Sequence, residues 1–340
     1  MAASFRNDYS YLAHQSILDA LASYQKDEHT AYGLDKHSEI AAGYIKKIFG
    51  SPKGEVHFLA GGTQTNMTFI TYCLKHYEGV ISCDTGHINV HETAAVEGAG
   101  HKIITVKNHD GKLCVEDIKA VLANCTDEHM VKPGMVYISN STELGTIYTK
   151  KELEDLYAFC KKARLYLFID GARLAVALTA KDNDVEPKLL GKVCDAFYVG
   201  GTKNGLLFGE ALVINNPELQ NNFRYHIKNR GAMLAKGFAA GIQFEEAFKD
   251  GLYFKLGEYT NGIADELKRV LKAHNMDMLP SPTNQIFVSC DKKVATELMD
   301  KFKLEKWSEN DDKITVRFVT CFMNTMDDVA EVDRFLNTLK

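Results

Sequence analysis

The feature that most limits the fold of this chain is a set of short apolar runs, each too brief for a buried helix. Leu165–Ile169 and Ala196–Val199 are nearly uninterrupted, and Val56–Leu59, Gly79–Cys83, Lys102–Val106 and Met135–Ser139 have a similar character. A strand with no polar face must be covered on both sides, as the strands of a parallel sheet are. Between these runs lie segments of helical spacing, Met67–Lys75, Val115–Ala123 and Lys151–Ala163, the last preceded by a Thr149–Glu152 capping pattern. Two further helical stretches, Gln15–Lys26 and Ser38–Phe49, come before them. Strands alternating with helices predict an α/β fold with a mainly parallel sheet flanked by helices.

Past residue 245 the pattern changes. A charged helix over Tyr253–His274 leads to the extended QIFVSC, a helix over Ala295–Phe302, the extended ITVRFVT and a last helix near Asp327–Leu339. The expected division is a large domain with an N-terminal segment over 1–245 and a smaller α+β domain over 246–340. A chain of 340 residues is long enough for both cores. Its 40 basic and 45 acidic residues leave a net charge of −5 with no basic block, which argues against nucleic-acid and anionic-membrane partners. No apolar run approaches the roughly 20 residues of a transmembrane helix. The start, MAASFRNDYSYLAH, has no signal-peptide core. Eight scattered cysteines without a CxxC pair read as reduced thiols of a cytoplasmic protein, and no metal site is expected.

The unusual residues gather just beyond the ends of the apolar runs, where open α/β sheets bind ligands. Val56–Leu59 gives onto AGGTQTN and then a helix. Small residues there serve either as a tight βα turn or as an anion cup of backbone N–H groups at a helix start. LYLFIDGARL ends its run on Asp170, a costly place for a carboxylate unless a cation pairs with it, and Arg173 is the candidate partner. Lys203 stands in GGTKNG, just past Ala196–Val199. It is either a solvated loop lysine or, in a pocket, an amine whose pKa is lowered enough to act as a nucleophile. Taken together, an anion cup, a strand-end Asp and a strand-end Lys 33 residues beyond it are what pyridoxal phosphate requires. The cup takes the phosphate, the Lys forms the imine and the Asp keeps the ring nitrogen protonated.

These residues resemble, nearly end to end, the threonine aldolase / β-eliminating lyase family of fold-type-I pyridoxal phosphate enzymes. SFRNDY is similar to the family's DLRSDT, HTAYGLD to DDVYGDD and AGGTQTN to TGTQAN; GHINVHE is similar to AHNYLFE, FIDGARL to VDGAR, GGTKNG to S-K-G-L-G and ITVRFVT to P-I-V-R-L-V-T. The resemblance implies an aspartate-aminotransferase-like large domain. It also implies cofactor contacts from Gly62, Thr63, Gln64 and Thr202, a His87 lying over the cofactor ring, Asp170 on the pyridine nitrogen and a covalent Schiff base at Lys203. Arg173 would sit beside cofactor and substrate, Arg317 would clamp the substrate carboxylate, and Asn7 and Tyr32 would border the substrate. CTDEHM is similar to a segment with a second active-site histidine, which points to His129. Homodimers or homotetramers with shared sites are implied.

The implied activity is cleavage of the Cα–Cβ bond of β-hydroxy-α-amino acids such as L-threonine and L-allo-threonine, giving glycine and acetaldehyde. Either His87 or His129 would serve as the base. The alternative keeps the cofactor and eliminates at Cβ, giving a keto acid and ammonia. Two departures leave room for it. The family's E-N-T-H-N-G loop is SNSTELG here, keeping Asn140 and Gly145 but no His, and family basic residues fall on Ile227 and Leu234, with Lys228, Arg230 and Lys236 nearby.

Overall fold

The computed structural model describes residues 3–339. A seven-stranded sheet is built from β1 (Glu55–Leu59), β2 (Glu78–Cys83), β3 (Ile103–Val106), β4 (Lys132–Ser139), β5 (Tyr166–Asp170), β6 (Ala196–Gly200) and β7 (Glu210–Ile214). Their order is β1-β7-β6-β5-β4-β2-β3. β2 to β6 pair in parallel, while β7 runs antiparallel to both of its neighbours. β7 is not among the apolar runs named above. Its EALVI follows directly on a glycine-rich turn, opens on Glu210 and is buried along its whole length.

Side chains along the central strands divide by parity, as the two-residue repeat of a strand requires. Val136, Ile138, Leu167, Ile169, Phe197 and Val199 enter one core, with helices Lys36–Ile48 and Lys150–Ala163. Met135, Tyr137, Phe168, Ala196 and Tyr198 enter the other, under helix Gly62–Cys73. Two phenols, Tyr137 and Tyr198, therefore face the same layer as Phe168 and, by parity, Asp170.

The remaining sheet is antiparallel, with β8 (Asp277–Met278), β9 (Gln285–Asp291), β10 (Glu305–Glu309) and β11 (Lys313–Val319) in the order β10-β11-β9-β8. Its core includes Ala3 and Phe5 from the start of the chain. The Phe5 N–H donates to the Phe302 carbonyl (3.1 Å), and the Phe5 carbonyl accepts from the Val319 N–H (2.8 Å). Helix Phe238–Lys249 contains residue 245 and packs on helix Lys36–Ile48; helix Leu252–Ala273 then leads into the second sheet. All eight cysteines are free, and no helix among the described residues is long and apolar enough to cross a membrane.

Candidate active site

Asp170 closes β5 and is buried. Four donors hold its carboxylate. Tyr137 Oη and Asn66 Nδ2 donate to Oδ2 at 2.5 and 3.0 Å, and Tyr198 Oη and the Ala172 N–H donate to Oδ1 at 2.5 and 2.9 Å. Burial alone would raise its pKa. The nearby His87 and the Tyr137, Tyr198 and Asn66 hydrogen bonds outweigh that and hold it below the usual carboxylate value, so it stays ionised. Arg173 is not its partner, contrary to the expectation from FIDGARL. The Arg173 fork instead closes on Asp8, Nε to Oδ2 at 2.7 Å and Nη2 to Oδ1 at 2.9 Å. The turn after β5 leaves Asp170 to the phenols of β4 and β6 and turns the guanidinium toward the N-terminal segment.

The glycine-rich stretch forms the start of helix Gly62–Cys73. Its N-cap, Gly61, is extended and offers no side-chain acceptor, so first-turn N–H groups are left for an anion. A Cβ on Gly62 would lie 3.0 Å from the Tyr198 hydroxyl, so a bare α-carbon is what lets the helix start directly on the phenol that holds Asp170. Gln64 braces this turn, accepting from the Ala60 N–H at 3.1 Å.

Lys203 lies in the turn between β6 and β7, with Nζ 5.8 Å from the centre of the Tyr9 ring. Burial and the neighbouring Arg173 lower its pKa against the opposing pull of Asp8, Asp170 and Glu210. Glu210, the first residue of β7, is buried and accepts from the Gly201 N–H at 3.1 Å; burial pushes its pKa up to about 8. His87 begins the short helix after β2. Its Nδ1 is 2.7 Å from Glu92 Oε1, which also accepts from Asn66 Nδ2 at 2.8 Å. One chain of contacts therefore runs from His87 through Glu92 and Asn66 to Asp170.

One cavity of about 250 Å³ has walls that include Gly61, Gly62, Thr63, His87, Asp170, Arg173, Thr202, Lys203 and Glu210. A second cavity of about 310 Å³ shares Tyr9, His87, Glu143, Arg173 and Lys203 with it and adds His91, Gln285, Glu305, Trp307 and Arg317. Arg317 lies with its guanidinium carbon 5.2 Å from the Trp307 ring centre and donates to Glu305 Oε2 at 2.5 Å and Gln285 Oε1 at 3.3 Å. The donor set fits pyridoxal phosphate. An ionised buried carboxylate, an amine of lowered pKa and an uncapped helix start share one compartment, and a cationic compartment adjoins it.

Three expected residues lie elsewhere in this chain. His129 is exposed in the loop just before β4, at the amino edge of the sheet, whereas the cavities open at the carboxyl edge. Tyr32 is exposed and borders a separate small pocket, with Lys228 Nζ 4.9 Å from its ring centre. Asn7 is buried but turns inward, accepting from the Tyr9 N–H and the Ser10 hydroxyl, and Tyr9 is the neighbour that lines both cavities. Asp8, Tyr137, Tyr198, Glu92, Glu143 and Glu210 carry no local pattern that would mark them as site residues. The two tyrosines counted as strand apolars, and the acids sit in loops or at strand starts with no periodic signal.

The sequence profile described as Beta-eliminating lyase matches residues 7–302. The chain is similar to a threonine aldolase of Leishmania major, with 43% identity, 99% of each chain covered and a TM-score of 0.97. It is 29% identical over 290 residues to a low specificity L-threonine aldolase of a Pseudomonas species, covering 83% of this chain and 84% of that one. An aspartate aminotransferase of Thermotoga maritima, at 15% identity and a TM-score of 0.73 over 99% of this chain and 92% of that one, shares the fold alone.

Proposed function

Since the chain belongs to the β-eliminating lyase family, we infer that it is a pyridoxal phosphate-dependent carbon–carbon lyase that cleaves L-threonine and related β-hydroxy-α-amino acids to glycine and an aldehyde. The observation that carries this reading is the sharing of one cavity by Lys203, Asp170 and the Gly61–Thr63 helix start. Bound there, the cofactor supplies an electron sink for the pair released when the Cα–Cβ bond opens.

The chain's own residues supply the rest. Lys203 is the covalent attachment point, and its lowered pKa leaves the amine free to react. Gly62, Thr63 and Thr202 hold the phosphate. Gln64 keeps their turn in shape, though its side chain is spent on the Ala60 N–H. Asp170, fixed by its donors, keeps a proton on the pyridine nitrogen. His87, steered by Glu92, covers the ring and is within the site as an acid–base group. Arg317 binds the α-carboxylate and so decides which Cα bond is aligned for cleavage. Arg173, committed to Asp8, lends positive charge to the floor between cofactor and substrate.

In this reading residues 1–245 carry the cofactor and 246–340 bring Arg317 to it. The protein works in the cytoplasm, which its eight free cysteines support, and self-associates as a homodimer or homotetramer. His129 and Tyr32, exposed here, enter a site only if a neighbouring copy brings them there.

The test is product identification with the purified, cofactor-loaded protein and its Lys203→Ala variant. Threonine should give glycine and acetaldehyde, and the variant should lose both the products and the visible absorbance of bound cofactor. A keto acid and ammonia instead would replace cleavage by β-elimination.

A further inference from the structure

Glu143 stands in the SNSTELG loop and lines both cavities. Its carboxyl is buried. Oε1 accepts from the Ser139 hydroxyl at 2.6 Å and from the His87 N–H at 3.0 Å. Oε2 is buried and has no hydrogen-bond partner among the described residues. A buried carboxylate oxygen without a donor is expensive to keep and is rare in native structures, so it points to a missing hydroxyl or amine.

The loop is held rigidly against the second sheet. Gln285 Nε2 donates to the Thr142 carbonyl at 3.1 Å, and Thr283 Oγ1 donates to the Gly145 carbonyl at 2.8 Å. Gln285 Oε1 in turn accepts from Arg317. One glutamine side chain therefore sets the position of the Glu143 loop relative to Arg317. Arg317 lines the second cavity only, so a β-hydroxy-α-amino acid whose carboxylate meets it would extend toward the groups that the two cavities share. Of these, Glu143, His87, Lys203 and Tyr9 are able to exchange a proton. The Lys203 amine is reserved for the cofactor, and one ring nitrogen of His87 is tied to Glu92.

We propose that Glu143 is a catalytic residue that binds the substrate's β-hydroxyl through Oε2 and takes its proton as the Cα–Cβ bond opens. This deepens the reading above and rests on it. The O–H bond breaks and an Oε2–H bond forms; the oxygen's electrons make the aldehyde C=O, and the Cα–Cβ pair passes to the cofactor's electron sink. Protonation of Cα then closes the balance, one proton gained for the one given up. Burial, and the nearby Asp170, raise the Glu143 pKa against the Ser139 hydrogen bond, which brings the carboxylate closer to the basicity a general base needs.

The test separates steps that involve the β-oxygen from steps that do not. Wild type and Glu143→Gln are compared in threonine cleavage and in exchange of the glycine α-proton with deuterated water, glycine having no β-oxygen. The expected result is a kcat for cleavage lower by about 100-fold, the lower bound of general-base effects, with KM and glycine exchange each within about threefold of wild type. Glu143→Asp, which keeps a carboxylate, should recover part of the cleavage rate. Equal losses of cleavage and exchange, or no loss of either, overturn the proposal; if the Gln variant fails to fold, the same comparison on the Asp variant decides. A wild type without visible cofactor absorbance or glycine exchange would instead reject the function proposed above.

Discussion

The Arg173 guanidinium closes in a two-point fork on Asp8, at 2.7 and 2.9 Å, although Asp170 lies only three residues before it in sequence. The pair spans 165 positions and ties the N-terminal segment to the turn after β5. Asn284 Nδ2 adds a third donor to Asp8 at 3.0 Å. Burial raises the Asp8 pKa, but Arg173, Lys203 and Asn284 together bring it below its ordinary value. Asp8 is thereby kept as an anion that neutralises Arg173, and the Asp170 carboxylate is left to its own four donors.

Removing one member of such a pair leaves a buried charge unbalanced, which costs about 3–5 kcal/mol. Asp8→Asn should therefore lower the unfolding free energy by about 3 kcal/mol in urea titration. A loss under about 0.5 kcal/mol would show that the fork contributes no more than a surface contact.

Asp170→Asn should keep the fold, because its one oxygen can accept from one phenol and its NH2 can donate to the hydroxyl oxygen of the other, while the ring nitrogen loses its anionic partner. The expected loss is about 4 kcal/mol of transition-state stabilisation, on the order of a thousandfold in kcat. A rate within about threefold of wild type, read by aldehyde release, would remove Asp170 from its role.

Arg317→Lys retains the charge and loses the planar fork. KM for threonine should rise about tenfold or more, a larger change than the fall in kcat, since roughly 1.5 kcal/mol or more of charge-assisted pairing is lost. Initial-rate kinetics over a range of threonine concentrations reads this out. An unchanged KM would place the carboxylate elsewhere.

Glu210 binds its proton more tightly when folded, with a pKa raised from its ordinary 4.5 to about 8 by burial. Between those values the folded chain holds a proton the unfolded chain has released. The contribution is thus present below 4.5 and lost as pH rises through about 8. Glu210→Gln does not titrate, so its stability relative to wild type should climb across that window, by at most about 1.4 kcal/mol per pH unit. Parallel urea titrations at about pH 5 and about pH 9 measure it, and a difference independent of pH would mean Glu210 is charged throughout.

Much of the fold was legible because it follows from local pattern. The apolar runs at β2, β4, β5 and β6 are buried at nearly every position, and a strand buried on both faces has few other ways to be covered. β10, EKWSE, has no apolar signal because it is an edge strand with a largely polar sequence. His129 illustrates the opposite limit. Its residue type and motif matched, but the loop before β4 puts it at the amino edge of the sheet, away from the cavity in its own chain.

Where chemistry could sit follows from the chain itself: Asp170 ends its strand, Gly62 and Lys203 fall just past theirs, and a parallel sheet brings its carboxyl ends to one edge. Which groups meet there is settled by the packing of distant segments. Tyr137 and Tyr198 became the donors to Asp170, Asp8 took Arg173, and Glu143 came to the boundary between the two cavities. Strand and helix periodicity set which face a residue occupies and say nothing of the neighbour across a layer. Hydrogen-bond partners are chosen by the packing of elements far apart in the chain, and that information is present only when they are assembled.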